Sequence, residues 1–410
     1  MNRLVQGLLG KGKSILRVPY RYLKISAFKI RKASIQRKKR QRAGNTVKIG
    51  FIVQMPEIWD KEAPLFEALA NDARFELVLI IVPHYDFSKQ ERTRYGEEKA
   101  FFTQKYPDAK IVLLETDNDM VVDDSYDYIF YQRCWEHYLP EQLRCKNVIK
   151  HAMTCYIPYC YYDAAEPDSY FENNFFWNLS KFYCCSEDQL KQVKQIGNIE
   201  CQYMGYPVME AIEYTDRLQD EKNILWTPRW SDDPALGGTS FRKFKDRILE
   251  LLEISKNVNL TLRPHPLTFE NAVKEKWMTQ SEVEKYKLHV VNSGARLDDN
   301  KMIEETFLTT DILITDFSSA IINFLLSGRP IIYCTGKDFA MTDTFRDVID
   351  SLYLAKDWEE VLKYVRELIA GNDPLYDKRR EVISRISGNE SSVERIMEDL
   401  YQGVFESCDV

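Results

Sequence analysis

Three short turns in the second half of the chain carry residue types that suit a phosphate ligand. Each follows an apolar run: TPRW begins at Thr227, RPHP at Arg263 and DFSS at Asp316. Arginine guanidinium groups bind phosphate oxygens through paired hydrogen bonds, and serine hydroxyls add further donors. A histidine between two prolines sits on a stiff backbone, where it can donate a hydrogen bond or carry a proton. The candidate ligand-binding residues are therefore Arg229, Arg263, His265, Asp316, Ser318 and Ser319.

The apolar runs in this half predict the strands of a parallel sheet. They are NILW, VNLTL, LHVV, DILIT and PIIYC, with helical patterns in FRKFKDRILELLEI, MIEETFL, SAIINFLLSG and WEEVLKYVRELIAG. Continuous apolar strands alternating with helices are typical of a parallel sheet covered on both faces. Ligands of such sheets bind beyond the carboxyl ends of the strands. The three turns are therefore expected to share one edge and form a pyrophosphate site.

The helix start after DFSS adds to this prediction. Unpaired N–H groups at a helix start, together with two serine hydroxyls, offer donors to a phosphate. Asp316 is expected to hold the turn or to accept a hydrogen bond from a ligand hydroxyl. The alternative for Asp316 or Ser318 taken alone is a simple helix cap, which those residue types favour. The coincidence of three such turns favours a ligand site.

A similar alternation in the first half predicts a second sheet. Its strand candidates are KIGFIVQ, ELVLIIVPH, KIVLLET, DYIFYQ, KFYCCS and ECQYMG. The chain is also longer than a single core usually allows. We therefore predict an α/β protein of two lobes with parallel sheets and a cleft between them. The predicted boundaries are 46–212 and 222–390 for the lobes and 391–410 for a helical tail.

The N-terminal arm, residues 1–45, differs from the rest of the chain. Residues 1–42 hold 14 Lys and Arg and no Asp or Glu, interleaved with large apolar residues. This mixture favours a helix lying on an anionic membrane surface rather than a nucleic-acid-binding tail, and a solvated leader is the alternative. GLLGKGKS, starting at Gly7, fits a phosphate-binding loop pattern, but no buried strand precedes it, so we interpret the match as chance.

Composition argues for a cytosolic enzyme. No apolar run reaches the roughly 18 residues that a membrane span needs, and the N-terminus lacks the apolar core of a secretory signal. The nine cysteines are scattered without CxxC spacing. Neither a zinc site nor a disulfide framework is therefore expected.

Four segments resemble one bacterial family. ILWTPRWSDD, LTLRPHP, LITDFSSAIINFLLSGRPIIY and MGYPVME, the last starting at Met204, are similar to motifs of the CDP-glycerol glycerophosphotransferases of teichoic-acid and capsule synthesis. The resemblance covers roughly residues 125–350. It implies a GT-B-like fold of two Rossmann-type lobes and peripheral attachment to the cytoplasmic face of the membrane. It also implies transfer of glycerol phosphate, or a related polyol phosphate, from a CDP-activated donor to a hydroxyl of a lipid-linked acceptor, releasing CMP.

The resemblance also implies roles for individual residues. Arg263, His265, Ser318 and Ser319 would hold the donor pyrophosphate, with Arg229 a weaker candidate. No acidic metal signature accompanies them, so protein cations and N–H groups are expected to replace Mg²⁺, and no cofactor is implied.

Acceptor-side residues are expected in the first lobe. The family's W-H-G-x-P segment is missing, and His151 in VIKHAMTCYIPYCYYD is its nearest equivalent, either the base for the acceptor hydroxyl or a structural residue. Gln132, Arg133 and Trp135 follow the DYIFY strand and His84 follows ELVLIIVP, so these four are candidates for the acceptor site.

Two alternatives share the two-lobe fold. A nucleotide-sugar glycosyltransferase would use the same pyrophosphate site but needs acidic contacts to ribose and sugar. A nucleotide-sugar epimerase would need no basic membrane arm. A catalytically silent membrane scaffold is a third alternative, which the presence of His265 and Ser318 disfavours.

Overall fold

The computed structural model describes most of the chain after its N-terminal arm. The described residues are 30, 33–35, 45–86, 89–93, 95–161, 171, 173–194, 200–210, 221–232, 238–300, 302–334, 341–388 and 390–405. Most of the predicted basic arm, including GLLGKGKS, and most of the segment between the predicted lobes therefore lie outside the described residues. The chain divides into two compact units. One comprises Met1–Tyr159, Glu166–Gly205 and Ser392–Val410, and the other comprises Cys160–Ala165 and Tyr206–Ser391.

The first unit is built on a parallel sheet of seven strands, in the order β5-β2-β1-β6-β7-β8-β9. A separate antiparallel pair, β3 and β4, lies between β2 and β5 in the sequence. The strands are β1 Val47–Val53, β2 Phe75–Ile81, β3 His84–Asp86, β4 Glu91–Thr93, β5 Lys110–Leu113, β6 Tyr128–Tyr131, β7 Met153–Tyr156, β8 Lys181–Cys184 and β9 Glu200–Tyr203. Strands β1, β6, β7 and β8 are almost entirely buried, which explains their continuous apolar sequences.

The second unit carries a parallel sheet of six strands, in the order β12-β11-β10-β13-β14-β15. The strands are β10 Lys222–Thr227, β11 Val258–Leu262, β12 Arg296–Leu297, β13 Ile312–Thr315, β14 Ile331–Cys334 and β15 Tyr353–Ala355. Order and direction are those of a doubly wound α/β unit, because the chain starts at a central strand and extends to both edges.

Helices connect the strands in both units. They are α1 Ala63–Ala70, α2 Tyr95–Lys105, α3 Cys145–Val148, α4 Asn174–Trp177, α5 Glu187–Lys194, α6 Phe241–Phe244, α7 Thr268–Lys274, α8 Gln280–Asn292, α9 Ile303–Thr309, α10 Ala320–Leu325, α11 Asp343–Ile349, α12 Trp358–Ile369, α13 Tyr376–Ser387 and α14 Ser392–Phe405. Short 3-10 turns cover Pro56–Lys61, Glu136–Tyr138, Glu141–Leu143, Pro207–Met209 and Ile248–Glu253. Within the described residues, every helix is too short or too polar to span a bilayer.

Two sequence predictions in the second unit are wrong. LHVV is not a strand, because it lies in α8, and the edge strand is the two-residue β12. Helix α8 starts at a capping box in which Thr279 and Glu282 exchange side-chain to backbone hydrogen bonds. Second, FRKFKDRILELLEI does not form one helix: α6 ends at Phe244, and a 3-10 turn starts at Ile248. The predicted stop after SAIINFLLSG is confirmed, since Gly328 has a φ of 70° and its N–H reaches the Leu325 carbonyl at 2.9 Å.

The C-terminal helix α14 packs on the first unit through a buried ion pair. The Asp399 carboxylate accepts hydrogen bonds from Lys181 Nζ at 2.8 Å and from the Tyr183 hydroxyl at 2.7 Å. Burial lowers the pKa of Lys181, but the charges of Asp399 and Glu200 outweigh this effect, so the pKa is raised and the ammonium stays charged. The tail is thus part of the first unit, 218 residues from its partner Lys181 in sequence.

Candidate active site

The second sheet places the three polar turns side by side. Strand β10 lies between β11 and β13, with Trp226 opposite both Leu262 and Ile314. Neighbouring strands are about 4.8 Å apart, so the residues just beyond them occupy one edge. The N–H of His265 reaches the Pro228 carbonyl at 3.3 Å, which links the RPHP and TPRW turns directly.

Asp316 ties the turns together. Its Oδ2 accepts hydrogen bonds from the backbone N–H groups of Arg229 at 2.7 Å and Ser240 at 2.9 Å. The Thr239 hydroxyl donates to the Arg229 carbonyl at 2.6 Å, which closes the same loop. Burial raises the pKa of Asp316 to about 6, although the hydrogen bonds from Arg229 and Ser240 act in the opposite direction. The side chain therefore positions the TPRW turn and the start of α6.

Arg229 is held against the third turn. Its Nη1 donates to the Phe317 carbonyl at 3.0 Å, and its guanidinium lies 5.3 Å from the centre of the Phe317 ring. These contacts set the direction of a long side chain that would otherwise sample many rotamers. Arg229 thus brings a fixed positive charge to the strand-end edge.

Arg263 is fixed by a carboxylate. Its Nη1 lies 2.7 Å from Oδ2 of Asp298, a side chain that is only 2% exposed. Burial raises the pKa of Asp298, but hydrogen bonds from Thr306 and Arg263 outweigh this, and the pKa is lowered. Asp298 therefore stays ionised and anchors one side of the guanidinium, which fixes the orientation of its planar fork.

His265 is a neutral hydrogen-bond donor at pH 7. Crowding of its ring by protein atoms, although the residue as a whole is exposed, and the nearby charge of Arg229 lower the pKa of His265 to about 4. Its Nδ1 accepts the Leu267 N–H at 3.2 Å, so the proton of the neutral ring is on Nε2. The Trp230 ring lies 6.1 Å from the imidazole and limits its movement. His265 thus offers an Nε2–H donor beside two arginines.

The electrostatic coupling between Arg229 and His265 can be measured. In Arg229→Gln, the pKa of His265 is expected to rise, because a neighbouring positive charge is removed. It should stay below the usual histidine value near 6.5, because crowding of the ring, the larger cause, remains. NMR titration of the His265 Cε1–H signal, assigned with His265→Gln, tests this. A pKa that stays near 4 in Arg229→Gln contradicts the coupling, and His289, on the exposed face of α8, is the internal reference.

The DFSS turn offers hydroxyls more than a helix dipole. The Ser318 hydroxyl oxygen accepts the Ala320 N–H at 3.2 Å, and its proton remains available to a ligand. Ser319 is the N-terminal flanking residue of α10 and makes no side-chain capping bond. Helix α10 has only six residues, so its dipole adds little. Ser318 and Ser319 are half-buried at the same edge as Asp316.

Within the first unit, His151 does not lie at the strand-end edge of the sheet. His151 precedes β7, at the amino end of the first sheet, and its Nδ1 lies 2.7 Å from Oδ1 of Asp124. It lines a pocket of about 310 Å³ with Met120, Leu143 and Lys150 among others. The carboxyl ends of the parallel strands lie at the opposite edge of this sheet. The structure thus groups the six candidates of the second unit and does not group His151 with the strand-end residues of its own unit.

Sequence reasoning missed several residues that shape these edges. Asp298 and Thr239 have no motif of their own, and only the fold brings them to Arg263 and Arg229. Glu62 follows β1 and is 1% exposed, and neither carboxylate oxygen has a hydrogen-bond partner among the described residues. Burial raises the pKa of Glu62 to about 8. In the described part of the chain, no three His, Cys, Asp or Glu side chains are grouped as a metal site requires.

The fold is that of a two-unit α/β protein with a GT-B-like fold, and arginine, histidine and serine side chains line the strand-end edge of its second unit. Residues 206–385 match the model of the CDP-glycerol:poly(glycerophosphate) glycerophosphotransferase family. The resemblance of the TPRW, RPHP and DFSS segments to that family is thereby confirmed, because all three turns lie within the matched residues.

Individual proteins are also similar to this chain. A teichoic acid poly(glycerol phosphate) polymerase of Bacillus spizizenii is 32% identical over 131 residues, which are 30% of this chain and 29% of the relative. The match thus spans less than a third of that relative. Two solved structures share the fold. Wall teichoic acid polymerase TagF, solved with CDPG, has a TM-score of 0.53 at 11% identity, covering 95% of this chain and 98% of TagF. The Staphylococcus aureus MnaA–UDP structure has a TM-score of 0.55 at 14% identity, covering 88% and 98%.

Proposed function

We propose that this protein transfers glycerol phosphate, or a related polyol phosphate, from a CDP-activated donor to a hydroxyl of a lipid-linked acceptor and releases CMP. The observation that carries the proposal is the strand-end edge of the second unit. There Arg229, Arg263 and His265 converge beside two serines, within the segment that matches the glycerophosphotransferase family. The teichoic acid polymerase relative and the TagF structure with CDPG support the same donor class.

The proposed reaction is an in-line displacement at the β-phosphorus of the donor. The acceptor oxygen forms a new bond to that phosphorus, the bond between that phosphorus and the bridging oxygen breaks, and CMP leaves with the bridging oxygen. The acceptor hydroxyl gives up its proton in the same reaction, to a base on the acceptor side or to water. Negative charge builds on the leaving CMP oxygen, so catalysis requires donors and cations aimed at it.

We assign roles to the second-unit residues on this basis. Arg263, with its fork oriented by Asp298, binds the pyrophosphate, and Arg229 adds charge from the neighbouring turn. His265 donates a hydrogen bond from its Nε2–H to the leaving-group phosphate and so offsets the charge that develops on the CMP oxygen. Ser318 and Ser319 donate to the remaining oxygens. Asp316 positions the turns instead of contacting the phosphates.

The proposal for the acceptor rests on the N-terminal arm and on family position. We propose that residues 1–42 hold the protein at the cytoplasmic face of the membrane, where a lipid-linked acceptor is available, because their charge and apolar content suit anionic lipid. His151 remains a candidate base by family position alone, since the strand-end geometry of its unit does not favour it.

The test is a comparison of donors. Purified protein is incubated with CDP-glycerol, CDP-ribitol or UDP-sugars, each with a lipid-linked glycerol phosphate acceptor, and released nucleotide is measured. CMP from one CDP-polyol alone is the expected result and names the polyol. UDP release would overturn the proposal in favour of a glycosyltransferase, and interconversion of UDP-sugars without acceptor would favour an epimerase.

A further inference from the structure

The carboxyl edge of the first sheet holds an arginine, Arg133, that has no carboxylate partner among the described residues. Strands β1, β6 and β7 are neighbours there, with Tyr131 opposite both Ile52 and Tyr156. Just beyond their ends lie Met55, Arg133 and Tyr159, one residue from each turn. This repeats the arrangement of the second sheet, where three consecutive strand-end turns form the proposed donor site. The edge is where a parallel α/β sheet binds its ligand.

The surroundings of Arg133 are aromatic and neutral. Its guanidinium lies 4.2 Å from the centre of the Tyr138 ring, and its Nη1 lies 3.1 Å from the Met55 sulfur. Its Nε is buried and has no hydrogen-bond partner among the described residues. Burial lowers the pKa of Arg133, and the groups that oppose this shift most are the phenols of Tyr138 and Tyr159.

Two other arginines near the same turn show the contrast. Arg92 donates to the Tyr138 carbonyl at 3.2 Å and is paired with Asp117. Arg144 donates to the Leu139 carbonyl at 3.3 Å and pairs with Glu141 at 2.9 Å. Both arginines therefore have a protein carboxylate, whereas no described carboxylate lies within salt-bridge distance of Arg133. A partly buried cation without a counter-charge is unfavourable unless a ligand supplies the charge.

The neighbouring aromatic rings indicate which chemical group accompanies the negative charge of such a ligand. Trp135 is 37% exposed, and its indole N–H points to the Tyr159 hydroxyl at 3.4 Å. Aromatic faces beside an arginine suit the C–H surface of a polyol or sugar next to a phosphate. A free phosphate would need the arginine but not the rings.

The Gln132 side chain fixes the backbone that presents this cluster. Its Oε1 accepts the N–H groups of Gln54 and Met55 at 2.8 and 2.9 Å, and its Nε2 donates to the Met55 carbonyl at 2.8 Å. All of these bonds join the turn after β1 to the turn after β6. Gln132 is thus a positioning residue, and the ligand-facing role belongs to Arg133.

We infer that Arg133, with Trp135, Tyr138 and Tyr159, binds a phosphate group of a polyol phosphodiester chain, the acceptor of the proposed transfer. The identification of this ligand as the acceptor rests on the proposed function. The binding site itself rests only on the geometry of Arg133 and the neighbouring rings. Arg133 takes the phosphate oxygens through its guanidinium fork, and the rings pack against the polyol carbons.

The experiment measures binding of a synthetic glycerol phosphate trimer by titration calorimetry, without CDP donor. Arg133→Gln is expected to weaken binding by about tenfold or more, because a charge-assisted paired hydrogen bond is lost. The affinity of Arg133→Lys for the trimer should lie between those of wild type and Arg133→Gln, since lysine keeps the charge and loses the guanidinium fork. Trp135→Phe should weaken binding of the trimer and leave the affinity for inorganic phosphate unchanged. Arg74→Gln is the matched control, since Arg74 is a surface arginine of the same unit paired with Asp72 and Glu398.

The outcomes separate this inference from the proposed function. Equal trimer affinity in wild type and Arg133→Gln, with both folded by circular dichroism, overturns the site. No trimer binding in wild type does so too, whatever the nucleotide-release assay shows. Inorganic phosphate that displaces the trimer at equal concentration would reduce the site to a simple anion site and overturn the polyol part. Arg133-dependent trimer binding without CMP release would keep the site and reject the transfer reaction.

Discussion

His265→Ala is expected to lower the rate of CMP release from the CDP donor by about a hundredfold or more, as loss of one donor at a developing charge does. The variant removes the Nε2–H and the Nδ1 acceptor of the exposed Leu267 N–H, and it keeps the backbone bonds that use the His265 N–H and carbonyl. The free energy of unfolding should change little. The reduction is expected mainly in kcat, since the charge on the leaving CMP develops in the transition state.

Two variants test whether the loss reflects hydrogen bonding at His265. His265→Gln can still donate an N–H and should recover part of the rate. His289→Ala is the matched control, because His289 is exposed on α8 of the same unit and lies outside the proposed site. Donor turnover near the wild-type rate in His265→Ala would remove His265 from the reaction and with it the proposed leaving-group role.

Asp316→Ala is expected to damage both stability and activity. The buried N–H groups of Arg229 and Ser240 lose their acceptor, and each unsatisfied group costs about 1–3 kcal/mol. Urea unfolding should therefore show a loss of about 2–4 kcal/mol in the free energy of unfolding. The TPRW turn also loses one of its links to the third turn and keeps the contacts of the Arg229 side chain with Phe317, so kcat should fall because Arg229 is held less firmly at the pyrophosphate.

Two control variants separate the positioning role of the Asp316 side chain from the effect of its charge. Asp316→Asn keeps one acceptor oxygen for the two N–H groups, so its stability and rate should lie between those of wild type and Asp316→Ala. Asp347→Ala removes an exposed ion pair with Arg385 in the same unit and should cost less than about 1 kcal/mol. A stable, fully active Asp316→Ala protein would show that the three turns do not depend on this carboxylate.

Residue pattern was enough to predict that the three polar turns of the second unit share one edge. NILW, VNLTL and DILIT are buried strands with polar turns after them, and parallel pairing then places those turns at one edge. That inference needs only strand direction and neighbour order. The same pattern failed for LHVV, since a four-residue apolar run fits a strand or a helix equally well. The capping pair Thr279 and Glu282 and the buried spacing of Val283, Tyr286 and Val290 were the helical evidence in the sequence.

By itself the sequence therefore determined the alternating α/β architecture, the polar strand-end turns, the basic N-terminal arm and the family resemblance, because strand burial and turn chemistry are local properties. Tertiary structure decided which charges are paired. Arg263 meets Asp298 across 35 residues, Asp316 meets the Arg229 N–H across 87, and Arg133 meets no described carboxylate at all. Such pairings depend on which loops the fold brings together. A carboxylate therefore anchors Arg263 in one unit, whereas Arg133 in the other unit has none among the described residues.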